Sequence, residues 1–158
     1  MDSNVKSGDA DKLRSGCVVV GISTPKRLSA AAEQLDKASG GQLAALLKSG
    51  DIDTSCAKTT LIHDPKGAIQ ASRLLIVGCG KSKQLSPKDF IKIASAAAET
   101  LQNSSATDAL SYLAEIKVEN RDLTWKAQQI IIASRDVVYR FDELKSDAKA
   151  PKKPLRRL

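Results

Sequence analysis

The segment Gly16-Cys17-Val18-Val19-Val20-Gly21-Ile22 carries no polar side chain. A strand with one wet face alternates apolar and polar residues, so an unbroken β-branched run must be covered on both faces. Arg73-Leu74-Leu75-Ile76-Val77-Gly78 makes the same demand, and Thr59-Thr60-Leu61-Ile62-His63 reads as a third strand. Ala109-Leu110-Ser111-Tyr112-Leu113 is a fourth candidate, and Asn4-Val5-Lys6 a short edge strand. Strands of this kind require helices above and below the sheet, and helical patterns lie between them.

Leu28 to Lys37 keeps helical spacing, with Ser29 as N-cap, and Gln42 to Lys48 follows the Gly40-Gly41 break. Ser86-Pro87-Lys88-Asp89 is a start signal on three counts. Serine can accept from an orphan N–H, proline suits the first helical position, and an acid in the first turn complements the helix dipole. The stripe behind it is Phe90, Ala94, Ala97, Ala98 and Leu101. A longer helix is predicted from about Asp122 to Phe141, with its stripe at Ala127, Ile130, Ile131, Val137, Val138 and Phe141. Alternation of this sort predicts a three-layer α/β/α sandwich with a mixed sheet. The 158 residues suit one domain, placed at 1–145, with 146–158 as a basic connecting segment.

Composition narrows the class. Aromatic residues make up 3% of the chain, so Ile, Leu, Val and Ala must fill the core and stacking platforms for bases or sugars are scarce. No apolar run approaches the ~20 residues of a membrane-spanning helix, and Met1-Asp2-Ser3-Asn4 does not begin a signal peptide. No membrane partner is expected. Cys17, Cys56 and Cys79 are odd in number, far apart and lack the close pairing of zinc sites, which predicts reduced thiols in a cytoplasmic protein. Cys17 and Cys79 lie in apolar runs and are predicted in the core.

The turn Gly78-Cys79-Gly80-Lys81-Ser82 follows a buried strand, a setting in which backbone N–H groups can cradle phosphate. A phosphate-loop pattern needs a glycine at position 75, which is Leu75, and a dinucleotide fingerprint needs one at position 83, which is Lys83. The reading preferred here is a tight turn with close packing. His63 is the only histidine, so every histidine-bearing triad would have to pass through it. Nothing in its surroundings supports a pair with Cys56 or Cys79. Asp51, Asp53 and Asp64 are spread over loops and read as solvated. No catalytic, metal-binding or cofactor-binding residue is predicted in this chain.

Net charge is +7, and the pI is about 9.4. The last ten residues hold five of the basic side chains and no acid; without them 20 basic residues face 18 acidic ones. Lys149, Lys152, Lys153, Arg156 and Arg157 can be read in two ways: as a solvated interdomain connection, or as phosphate-backbone contacts to duplex DNA. Lys88, Lys92, Lys126, Arg135 and Arg140 are the further cations of the DNA reading. Ending on Leu155-Arg156-Arg157-Leu158, the chain is expected to stop at an internal boundary of a longer protein.

Several segments, in their order and spacing, resemble the N-terminal domain of cytosolic leucyl aminopeptidases, the bacterial branch above all. They are Val5-Lys6-Ser7-Gly8, Cys17-Val18-Val19-Val20-Gly21, Arg27-Leu28-Ser29, Ala32-Glu33-Gln34-Leu35-Asp36-Lys37, Leu74 to Lys81, Phe141 to Lys145 and Pro154-Leu155-Arg156. The resemblance implies a macro-domain-like fold and a catalytic domain beyond residue 158. That domain would hold two divalent metals, zinc or manganese, and remove N-terminal residues from peptides. Its signature Asn-Thr-Asp-Ala-Glu-Gly-Arg is absent here, so no ligand residue carries over. The resemblance also implies a homo-hexamer and, in the bacterial branch, a second role on DNA in recombination and transcription. A nucleotide or ADP-ribose pocket near Gly78-Cys79-Gly80 is a fold-level analogy only.

Overall fold

β1 (Val18–Ser23) and β4 (Arg73–Gly78) lie side by side and parallel, Val18 opposite Leu74 through Ile22 opposite Gly78. Their position explains their composition. Val18, Val20, Ile22, Leu74 and Ile76 point to one face, Val19, Leu75 and Val77 to the other, and all are buried. The computed structural model describes residues 1–24, 27–67, 69–81, 83–144 and 155–158. β3 (Thr59–His63) pairs antiparallel with the outer side of β4. Two short strands share the remaining edge of β1. β5 (Leu110–Ser111) runs parallel beside Val18 and Val19, while β2 (Arg27–Leu28) runs antiparallel beside Ile22 and Ser23. The sheet is mixed, in the order β2-β1-β4-β3 with β5 also on β1.

Helices cover both faces. α1 (Ala30–Ala38) and α2 (Gln42–Ser49) bury Ala31, Ala32, Leu35, Leu43 and Leu47 on one side. α3 (Pro87–Asn103) buries Phe90, Ile93, Ala94, Ala97 and Leu101 on the other, and α4 (Leu123–Leu144) packs along it through Ile130 and Ala133. At that helix pair Trp125 tilts against Phe90 with ring centroids 5.8 Å apart. This is the three-layer α/β/α sandwich that the strand composition calls for.

Local chemistry sets the helix starts. Ser29 Oγ accepts from Ala32 N–H and Ser86 Oγ from Asp89 N–H, with Pro87 opening α3. Asp122 Oδ1 accepts from Trp125 N–H at 2.8 Å. Because Ser29 is extended as the cap, α1 starts at Ala30, and Leu28 belongs to β2 opposite Ile22. The strand expected over 109–113 is held to Leu110–Ser111, since a 3₁₀ turn (Leu113–Glu115) follows at once. The edge strand expected at Asn4–Lys6 does not form as such. Asp2 instead makes an isolated parallel bridge to Arg157.

Candidate functional site

At the glycine turn after β4 the N–H groups of Gly78, Cys79 and Gly80 are used. Gly78 N–H donates to Lys58 O at 2.7 Å, Cys79 N–H to Ile22 O at 2.9 Å and Gly80 N–H to Thr54 O at 2.9 Å. A phosphate cradle needs such N–H groups free to converge on an anion, and these point into the protein. Gly78 is required for close approach: a Cβ there would sit 2.2 Å from Ser55 O. Gly80 adopts φ +74, a left-handed conformation that suits glycine. The turn stitches β4 to the loop before β3.

Beside it, at the carboxyl ends of β1 and β4, lies a cleft of about 210 Å³. In α/β folds this is the position where ligands most often sit. Ser23, Arg27, Lys83, Glu115 and Lys117 line it, with Gly21 and Cys79 at its base. Its volume falls below the roughly 300–1,000 Å³ of most small-molecule sites. The acid among these lining residues is already engaged, because Glu115 Oε2 accepts from Ala31 N–H at 3.1 Å in the first turn of α1. The helix end where an anion would gain most is thus filled from within. These residues come from separate segments, and no local spacing in the sequence marks them.

Burial pushes the Cys79 thiol up to about 12, and the neighbouring Cys56 adds to the rise. Burial does the same to Cys17, also to about 12, and raises Cys56 by a smaller amount. A thiolate, the nucleophilic form, is therefore disfavoured at all three near neutrality. All three are free thiols, and Cys17 and Cys79 are buried, as their apolar settings predict. His63 is exposed at the end of β3. Asp51, Asp53 and Asp64 are exposed too, and Asp53 is held below the usual carboxylate range by the hydrogen bonds that Ser55 donates to it. Among the described residues no three His, Cys, Asp or Glu side chains cluster as a metal site would need. No helix among them is long and apolar enough to cross a membrane.

Of the basic residues singled out at the C-terminus, Lys149, Lys152 and Lys153 lie outside the described residues. Arg156 and Arg157 are exposed and share a hollow of about 260 Å³ with Asp2, Thr107 and Asp108. Asp2 and Asp108 line the same hollow as the two arginines, so this patch has mixed charge. Three of the five scattered cations already have a partner. Lys126 Nζ donates to Ile116 O, Arg140 lies 3.9 Å from Glu99, Lys92 lies 4.0 Å from Asp89, and Lys88 and Arg135 are exposed on different helices.

The comparisons with known proteins agree with this architecture. Residues 19–148 match the cytosol aminopeptidase family, N-terminal domain. A probable cytosol aminopeptidase from Idiomarina loihiensis is 41% identical over all of this chain, which covers 31% of that protein. One from Alkalilimnicola ehrlichii is 43% identical, again over the whole chain and 32% of the relative. The chain therefore spans about a third of the length of these relatives. Among solved structures, a tomato leucine aminopeptidase variant superposes with a TM-score of 0.69 at 16% identity, covering 99% of this chain and 31% of that one. The macrodomain of Mycobacterium tuberculosis DarG superposes with a TM-score of 0.66 at 10% identity, covering 86% and 91%. Both show a macro-domain-like fold. Since the family match takes in most of the chain and the relatives align along all of it, this protein belongs to the cytosol aminopeptidase family, as an N-terminal domain.

Proposed function

We propose that this chain is the non-catalytic N-terminal domain of a metal-dependent leucyl aminopeptidase, and that it supports assembly and shapes access to an active site elsewhere in the protein. The observation that carries this reading is the 41–43% identity to proteins about three times as long, both described as probable cytosol aminopeptidases. The described residues do not fit a two-metal centre: no three His, Cys, Asp or Glu side chains cluster among them. The two divalent ions, zinc or manganese, and peptide hydrolysis are assigned to the C-terminal catalytic part, with this chain as its partner in a cytoplasmic homo-hexamer. Residues 146–158 lead towards that part, their last four still bonded into this domain. The test compares this chain with the product of the uninterrupted reading frame on a leucine chromogenic substrate with manganese. Turnover is expected from the longer product alone. Robust turnover by the 158 residues would sink the reading.

The alternative is a DNA-binding module of a bifunctional aminopeptidase that also acts in transcription and recombination. It is favoured by the exposure of Arg156 and Arg157, and opposed by the aspartates beside them. Contact would run to the phosphate backbone, so affinity for duplex must fall steeply with salt. A gel-shift series that detects no complex even at low ionic strength rejects it for this chain.

A further inference from the structure

Leu155–Leu158 lies extended between two walls of backbone. One wall is the start of the chain: Asp2 N–H donates to Arg156 O at 2.9 Å, Leu158 N–H to Asp2 O at 3.1 Å, and Asn4 N–H to Leu158 O at 3.3 Å. The other is the approach to β5: Arg156 N–H donates to Thr107 O at 2.7 Å and Ala109 N–H to Arg157 O at 3.0 Å. Both pairings are parallel, with Arg157 opposite Asp2 on one side and Asp108 on the other. The segment is therefore bonded as an inner strand is, on both edges. Leu155, 3% exposed, anchors it in the core beneath α3, and Leu155 N–H reaches the Gln102 side chain.

A parallel ladder advances one residue at a time on every strand. Continued past Leu158, this one would pass between Asn4–Ser7 and β5. Among the described residues the two walls of that stretch have no backbone partner in the slot. Val5, Lys6 and Ser7 are exposed, and none of their backbone groups bonds to another among the described residues. Val5 is 84% exposed, the most of any large hydrophobic residue described. On the β5 side, Leu110 and Tyr112 N–H point to β1 while Ala109 N–H points to the segment. Alternation then aims Ser111 N–H into the same slot. The Tyr112 hydroxyl donates to Gly8 O at 2.9 Å and ties the far ends of the walls together. Consecutive unpaired backbone groups around an exposed valine describe a sheet edge that awaits a strand.

We propose that the residues immediately after Leu158 in the longer polypeptide continue this segment as a strand, parallel to Asn4–Ser7 on one side and β5 on the other, and cover Val5. The inference rests on the reading that the chain is the first part of a longer aminopeptidase. It makes the exit from the domain a strand held on both edges rather than a loose tether.

Hydrogen exchange on the 158-residue chain and on the full-length protein tests this. By the same alternation the amides of Lys6, which follows Asp2 and Asn4, and of Ser111 face the slot; they should exchange freely in the short chain and be slowed on the order of 100-fold or more in the long one. Val5→Asp should leave the melting temperature of the short chain nearly unchanged and lower that of the long one. Equal, fast exchange in both proteins overturns the proposal, even if the long protein hydrolyses leucine substrates. Slowed exchange without peptidase activity keeps the strand and rejects the functional reading. If the amides are already slow in the short chain, and sedimentation shows a concentration-dependent dimer, a second copy fills the edge and the proposal falls.

Discussion

At the residue scale, the glycines of this chain separate into two physical kinds. At Gly78 the obstacle is another part of the chain, since a Cβ would collide with Ser55 O and the carbonyl carbon of Thr54. At Gly50, which caps α2 at φ +83, nothing lies within 4 Å of a Cβ and the only cost is the left-handed backbone. Gly78→Ala should therefore cost about 3 kcal/mol, as overpacking does, and Gly50→Ala about 1 kcal/mol. Urea denaturation followed by the emission of Trp125 at the α3–α4 contact measures both; equal losses would refute the distinction. The buried thiols supply a second prediction. A group whose folded pKa lies above its unfolded value loses its stabilising contribution as pH rises between the two. Cys17 and Cys79 ionise ordinarily near 9.0 and are pushed to about 12 in the fold. Up to pH 9 their contribution is intact; above it each weakens the fold by about 1.4 kcal/mol per pH unit. A Cys17→Ala, Cys79→Ala protein should be less stable at neutral pH and show a flatter alkaline limb in its denaturation midpoint. An unchanged limb would show that the thiols do not control it.

Elements differ in how far the sequence announces them. β3 and β4 have the bounds read from their composition, because an apolar β-branched run between turn residues needs no knowledge of its neighbours. α3 is equally legible, since Ser86, Pro87 and Asp89 each act within the first turn. β2 and β5 are short because β1 has one free edge and two tenants, a fact of tertiary pairing that no local pattern encodes. The cleft was illegible for a related reason. Ser23 and Arg27 at strand ends, Lys83 in a loop and Glu115 in the 3₁₀ turn come together from three separate stretches of the sequence. Its Glu115 does structural work on another element, accepting from Ala31 N–H at the start of α1. Glu115→Gln keeps an acceptor and loses the charge, so the cost should be about 0.5 kcal/mol and should shrink as salt rises. Glu115→Ala loses both, for about 1 kcal/mol. Thermal melts in low and high salt distinguish the two, and identical salt responses would show that the dipole is not involved.

Across the whole molecule, Leu155 joins the far end of the chain to the same core that α3 and α4 share with the sheet. Asp2, Thr107 and Ala109 close the backbone around the segment that Leu155 begins. The start of the chain, the approach to β5 and the last residues are therefore one hydrogen-bonded unit, although more than 100 residues separate Asp2 from Thr107. This arrangement makes Arg156 and Arg157 edge residues of the fold, whatever else they contact. It also makes cooperativity measurable from the end of the chain. Leu155→Ala removes a buried leucine and should cost about 2–4 kcal/mol. For a domain of this size that lowers the melting temperature by roughly 5–15 °C. Arg156→Pro removes the N–H that reaches Thr107 O and should cost about 1–2 kcal/mol for that bond. In both variants the loss should appear in the single transition reported by Trp125, which meets α3 at Phe90 in its first turn while Leu155 bonds Gln102 near its last. If Trp125 unfolds at the unaltered temperature while only the last residues come loose, the tail is an appendage and the domain ends with α4.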